Sequence, residues 1–440
     1  MTTVPNGYTA REQRGWSLYD VANSVFLTSA IAVLLPTFVT RMAEAGADPD
    51  GHIRVLGFAL LPGGFWGLAV SLSVLLQVLV LPVVGAIADF SRKKRRTLAT
   101  AAIFGGICAT SMVLLQGSHY MLAAGLFILG NVAFGCSNVV YNSFLPEIAP
   151  PDQRDGLSSR AWAQGYAAGC VMLVAHLVLL SKAESWGMSA ETAVRIALCS
   201  TGVWWILWTI PVVQRLRDRG TPQALPPGRS YVSVGFSQMW HTMRDMRNYP
   251  HTLKFLIGYL FYNDAIQTVF ASAALFGAGE LGLSDAELVI TILISQVVGV
   301  VGALAFGKLA KQISAKYAVI VSLCVWIALL FYAWRFVHTL TEFYIMGAVA
   351  GLVMGGTQSL SRSIYSQLVP HGKEAEYFSL YELGDKGTSW LGPLTFSLVY
   401  TATGSYRLAL LSLLVFFIMG LTVLTRADVK QGEWDVLKSA

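Results

Sequence analysis

Y-D-V-A-N-S-V-F at residues 19–26 and N-D-A-I-Q-T-V-F at residues 263–270 read as one element written twice. In register, Asp20 falls on Asp264 and Phe26 on Phe270. Each copy sits near the start of an otherwise apolar run long enough to cross a bilayer, and each opens one half of the chain. A carboxylate in hydrocarbon is costly and marks a functional position by default. Two of them at matching places in two halves point to a transporter built from repeats.

The match extends outward from there. G-C-S-N-V-V-Y-N at 135–142 aligns with G-G-T-Q-S-L-S-R at 355–362, which sets Asn138 on Gln358, Asn142 on Arg362 and, without a gap, Pro150 on Pro370. The matching segments lie an even number of spans apart, so both halves enter from the same side as parallel repeats.

Composition agrees. The 440 residues are 55% hydrophobic and only 13% charged, with a mean hydropathy of +0.57, too greasy for a soluble domain of this size. Apolar runs at 16–40, 64–88, 97–116, 120–145, 158–181, 192–213, 252–278, 286–308, 316–337, 341–366, 376–402 and 405–425 predict twelve spans. Such runs must satisfy their backbone internally, and the short alternating segments of a barrel are absent. The expected fold is an all-α membrane protein with twelve transmembrane helices in two six-helix bundles. Residues 1–213 form the first bundle, 214–251 a cytoplasmic linker and 252–440 the second bundle. With the N-terminus inside, inner segments and the span ends next to them hold 24 of the 31 Lys and Arg, outer loops and their adjoining span ends hold six, and Lys386 makes up the total. That bias places both termini in the cytoplasm, with the cell (inner) membrane as the expected location. In the linker, Pro222, Pro226, Pro227 and Gly228 break the chain. Beyond them Val232, Phe236, Met239, Trp240, Met243 and Met246 fall near one face, predicting a helix that lies in the membrane interface.

Several classes are disfavoured. The net charge of +6 comes from basic residues in loops, where they set topology, and does not point to nucleic acid. The five cysteines (108, 136, 170, 199 and 324) fall inside apolar runs, as small core residues do, so no disulfide framework or metal site is expected. No cleavable signal peptide is evident. Neither an H-E-x-x-H pair nor a G-x-x-x-x-G-K-[ST] loop occurs, which argues against a zinc protease and against ATP drive within the chain; a transporter that is no enzyme and carries no cofactor is expected.

G-A-I-A-D-F-S-R-K-K-R-R at 85–96 resembles the signature loop of the major facilitator superfamily. In that loop Gly85 permits close helix packing, Asp89 can cap a neighbouring helix or pair with a base, and Arg92 with the following bases holds the inner side. Ser91 and Arg92 depart from the usual pattern, and the second-half counterpart, Gly307 to Lys316, has Lys311 in the place of Asp89. W-S-L-Y-D-V-A-N-S (16–24), Y-N-S-F-L-P-E-I-A-P (141–150), S-S-R-A-W-A-Q-G-Y (158–166), Y-N-D-A-I-Q-T (262–268), G-G-T-Q-S-L-S-R-S (355–363) and G-T-S-W-L-G-P (387–393) are similar to a narrower branch, the vacuole-effluxer-like family. The resemblance implies alternating access between two bundles and, more weakly, amino-acid export, since one fold carries many substrates.

The candidate residues follow. Asp20 reads either as a substrate or coupling carboxylate or as an inner-gate partner of an arginine such as Arg160 or Arg154. Asn23 shares its helical stripe. Asp264, near the midplane, is the stronger candidate for carrying a proton, with Asn263 and Gln267 beside it or one turn on. Asn138, Asn142 and Gln358 are expected at the central cavity, and Trp162, Gln164, Tyr166 and Gln296 are weaker candidates. His176, well inside a span, reads as hydrogen-bonded structure before proton relay. Arg362 is expected to close the inner gate with Glu382 or Asp385, Glu382 to pair with Lys386 at i,i+4, and Gly392-Pro393 to bend span eleven. Gly85, Asp89 and Arg92 are assigned to conformational switching.

The sequence thus predicts a monomeric secondary transporter of a small solute in the lipid bilayer, driven by protons or by the solute gradient. Polar groups at mid-depth are amides and carboxylates, with no unpaired base, which favours neutral, zwitterionic or cationic solutes. The alternatives are a drug, sugar or organic-acid transporter of the same fold, or a non-transporting receptor or regulator.

Overall fold

Apolar runs of this length must pair every backbone polar group within the segment. The computed structural model, which describes residues 9–55, 57–91, 93–219, 231–387 and 391–438, answers with helices almost throughout. The first rod is α1 (Ala10–Val25), a π-helical stretch (Phe26–Leu34) and α2 (Leu35–Ala45). A short hairpin of β1 (Ile53–Val55) and β2 (Phe58–Leu60) leads to α3 (Pro62–Phe90). α4 (Lys94–Ser111), α5 (Tyr120–Ser143), the short α6 (Leu145–Ile148), α7 (Pro151–Lys182) and α8 (Ala190–Arg215) complete the first half. After α9 (Tyr231–Asp245) come α10 (Pro250–Leu281), α11 (Asp285–Ile313), α12 (Ala315–Arg335) and α13 (Leu340–Gln367). The chain ends with α14 (Glu374–Gly387), α15 (Leu391–Thr403), α16 (Tyr406–Ser412), α17 (Leu414–Thr425) and α18 (Val429–Lys438).

Among the described residues ten helices are long and apolar enough to cross a membrane alone. The other two crossings are α10, which carries Asp264, and the pair α14 and α15. Span eleven, expected as one bent helix, is helical over Glu374–Gly387 and Leu391–Thr403, and residues 388–390 lie outside the described ones. Helix ends follow local chemistry. Ser284 with Glu287, and Thr339 with Glu342, form capping boxes at α11 and α13. Gly282, at φ +66°, closes α10 in a left-handed turn that a side chain would strain.

Among the described residues two large apolar cores form, one from residues 16–216 joined by Ala375, the other from residues 246–427. α11 and α13 cross so closely that a Cβ on Gly351 would run into the Ser295 carbonyl. α9 lies across the inner end of α3, where a Cβ on Gly235 would sit 2.8 Å from the Pro82 carbonyl oxygen. Its Val234 and Thr242 are buried, while Phe236 and Trp240 face outward. The side chains of Val232 and Met243 lie outside the described ones.

The two ends of the molecule differ. On the side where the described chain begins and ends, which the charge bias predicts to be the inner side, residues 355–366 of α13 and 374–382 of α14 are buried on every face. A helix buried all round has protein on all sides. Farther out, α10 and α15 pack mainly against helices of their own half.

Candidate functional site

Two latches cross between the halves on the inner side. In the first, Arg362 of α13 reaches Asp20 of α1 through two bonds, Nη2 to Oδ2 at 2.9 Å and Nη1 to Oδ1 at 3.2 Å. Its Nε donates to Ser158 Oγ (2.9 Å), Nη2 to the Ser158 carbonyl (3.1 Å) and Nη1 to Tyr141 Oη (3.4 Å). Those bonds use all five guanidinium N–H groups. The guanidinium also lies 4.8 Å from the Trp16 ring centroid, 5.4 Å from Tyr141 and 5.5 Å from Trp162. A buried charge pair is stable only when its remaining hydrogen-bonding capacity is filled, and on the guanidinium side it is.

The second latch centres on Lys94 at the start of α4. Its Nζ meets Glu147 (2.5 Å), Asp89 (3.4 Å) and Glu374 (3.5 Å), the last from the opposite half. Asp89 accepts from the N–H groups of Ala375 (3.0 Å) and Glu376 (2.8 Å), capping α14 across the interface. Gly85 makes this approach possible: a Cβ there would lie 3.0 Å from the Ala375 carbonyl oxygen. Smaller ties flank both latches. Asn142 Nδ2 donates to Glu382 (2.9 Å), Arg154 Nη1 to the Ser366 carbonyl (2.8 Å) and Ser363 Oγ to Asp155 (2.6 Å).

Farther out, each half pairs its own amides. Asn23 Nδ2 donates to Asn138 Oδ1 at 2.8 Å, and Gln358 Nε2 to Asn263 Oδ1 at 2.7 Å. Asp264 is buried, and its Oδ2 accepts from the Gly392 N–H (2.7 Å) at the start of α15. Its Oδ1 has no hydrogen-bond partner among the described residues, nor do Trp162 Nε1, Tyr166 Oη and Gln296 Oε1. Gln296 Nε2 reaches Thr28 Oγ1 at 3.4 Å, so α11 meets the π-helical stretch of the first rod. Helical widenings of that kind occur often at functional sites.

Several expectations need correction. Arg362 pairs with Asp20 and not with Glu382, because it points across the interface toward α1 and not along its own half toward α14. Glu382 instead accepts from Asn142, which places Asn142 in the inner contact and not at a mid-depth cavity. Neither Arg154 nor Arg160 is the partner of Asp20. Arg154 donates to the carbonyls of Ala149, Pro146 and Ser366, and Arg160 is exposed with its Nε on the Gly156 carbonyl. Gln267 is half-buried and Gln164 exposed. His176 bonds Ser200 Oγ at 2.7 Å. Arg92 and the side chains of Asp385 and Lys386 lie outside the described residues. Sequence reasoning missed Trp16, Tyr141, Ser158, Glu147 and Glu374. Aromatic residues in an apolar span carry no mark, but a Glu at a span end is a visible signal.

The profile of the family described as "Vacuole effluxer Atg22 like" matches residues 8–436. The chain is 27% identical over 436 residues to the "Uncharacterized MFS-type transporter YxiO" of Bacillus subtilis, covering 97% of this chain and 98% of that one. It is 27% identical over 474 residues to "Autophagy-related protein 22" of Eremothecium gossypii, covering 97% and 92%. Among solved structures it resembles the proton:xylose symporter XylE (TM-score 0.69, 11% identity, 95% of each chain). It also resembles a bacterial homologue of the iron transporter ferroportin in an outward-facing state (TM-score 0.65, 13% identity, 94% of this chain and 98% of that one). At such identities the structural likeness speaks to the fold alone, the twelve-helix major facilitator fold.

Proposed function

The chain belongs to the vacuole effluxer Atg22-like family, and from that premise we propose that this multi-pass membrane transporter exports amino acids by proton-coupled alternating access. One observation carries the cycle. The Asp20–Arg362 and Lys94 latches join the halves on the inner side, while α10 and α15 keep to their own half. That asymmetry fits the stage open to the outside, and the opposite stage requires the inner latches to part.

Roles follow from position. Asp20 with Arg362, and Asn142 with Glu382, form the inner gate. Asp385 and Lys386 belong to it by their place in α14. Gly85 and Asp89, with Arg92 beside them in the signature loop, couple α3 to α14 during switching. Asp264, buried with one oxygen lacking a partner among the described residues, carries the proton. Asn23, Asn138, Asn263, Gln267 and Gln358 contact the solute by exchanging their amide pairs for bonds to it. Arg362 has no N–H to spare for an anion, which supports a neutral, zwitterionic or cationic solute over an organic acid. The monomer is the working unit, in the cell membrane with both termini cytoplasmic.

The test is reconstitution into liposomes with radiolabelled amino acids, sugars and organic acids under an imposed pH gradient. Amino-acid flux that grows with the gradient is expected. Flux of sugars alone, or of nothing, would overturn the proposal.

A further inference from the structure

Arg362 is a guest in a site that it does not build. Trp16 and Asp20 lie on α1, Tyr141 on α5, Ser158 and Trp162 on α7, all in the first half, whereas Arg362 comes from α13 in the second. The walls hold one another. Trp16 stacks on Tyr141 with centroids 4.6 Å apart, and its Nε1 donates to the Tyr141 carbonyl at 2.8 Å. The Trp16 and Tyr141 walls therefore hold each other without Arg362.

We propose that this box is a binding site for an organic cation, a guanidinium or primary ammonium group arriving from the inner side, and that Arg362 is the tethered occupant that fills it while the inner side is shut. Three aromatic faces around one carboxylate, with a hydroxyl and a carbonyl as further acceptors, form the surroundings that recognise such groups. Charge balance points the same way. When Arg362 leaves, Asp20 remains among apolar rings without a counter-ion, a costly arrangement. A cation entering the box offsets that cost and stabilises the open gate. Asp264, the repeat counterpart of Asp20, accepts from a backbone N–H instead, so the site belongs to the first half. Asn23, one turn outward from Asp20 on the same rod, connects the box to mid-depth. Under the transporter reading, on which its place in the cycle rests, the amino group of an exported solute docks here first.

The experiment measures thermal unfolding of the purified protein against methylguanidinium chloride, with sodium chloride at equal ionic strength as the control. The proteins are wild type, Arg362→Ala, Arg362→Lys, and Asp20→Asn combined with Arg362→Ala. At about tenfold above its dissociation constant, methylguanidinium is expected to raise the midpoint of Arg362→Ala by about 2 °C and to leave the wild type unmoved. The double variant, which has lost the carboxylate, is expected not to respond. If Arg362→Ala does not fold, Arg362→Lys carries the test, because a lysine makes neither the forked bond nor the Ser158 bonds and is displaced more readily. No stabilisation of either single variant, or equal stabilisation of the double variant, overturns the site. Because this readout involves no transport, binding here by a protein that moves no solute would sink the transporter reading and leave the site standing.

Discussion

In sequence register Asp20 falls on Asp264, and the fold treats the two carboxylates oppositely. Asp20 has both oxygens on the Arg362 guanidinium and three aromatic rings around that cation. Asp264 has one oxygen on a backbone N–H and the other without a hydrogen-bond partner among the described residues. The repeat supplies two buried carboxylates, and divergence at position 142 against 362 decides what each becomes. Where the second half carries Arg362, the first carries Asn142. One arginine for two carboxylates makes Asp20 part of a lock and leaves Asp264 open to chemistry.

That contrast breaks down if the two positions respond alike. Asp20→Ala leaves the Arg362 charge buried and unpaired, so a loss of about 3–5 kcal/mol in unfolding free energy is expected. Asp20→Asn with Arg362→Gln removes both charges and is expected to recover most of that loss, as a double-mutant cycle on thermal unfolding will read. Asp264→Asn keeps the acceptor for Gly392, so its stability is expected to change by less than about 1 kcal/mol. Gradient-driven accumulation in liposomes is nonetheless expected to vanish, and accumulation at the wild-type level would remove the coupling role.

The second latch gives a smaller effect. Asp89→Ala uncaps α14 and is expected to cost about 1–2 kcal/mol. Gly85→Leu is expected to slow turnover while ligand-induced stabilisation persists, since the added bulk meets the α14 backbone and not the solute. The smallest contrast lies one turn outward. Asn23 falls on Gln267 in the repeat, yet Asn23 is bonded to Asn138 while Gln267 is half-buried on α10. Asn23→Ala is expected to cost about 1 kcal/mol and Gln267→Ala less than about 0.5 kcal/mol, both by thermal unfolding.

The twelve crossings were legible because span length and apolar character are local properties. The match of Asp20 with Asp264 needs only the register of the sequence. Arg362 was singled out in the sequence, but its pairing with Asp20 was not. Sequence neighbours drew attention to Glu382 and Asp385, whereas the bond runs between halves, and nothing in a linear pattern sets the register of one bundle against the other. The Asp89 cap on α14 illustrates the same limit: the residue is marked by its loop, the helix that it caps by nothing nearby. Trp16 and Tyr141 were invisible for a different reason. An aromatic residue in an apolar span contributes to hydropathy whether it packs against lipid or surrounds a cation.

The central claim is that the Asp20–Arg362 bond holds the inner side shut. Spin labels at Asp152 and His371, both exposed on the inner side and one in each half, report that separation directly in a background without the five native cysteines. Pulsed electron paramagnetic resonance of the wild type in liposomes is expected to give a short-distance population, and Asp20→Asn is expected to shift it to a longer one. The same distance distribution with and without Asp20 would contradict the account.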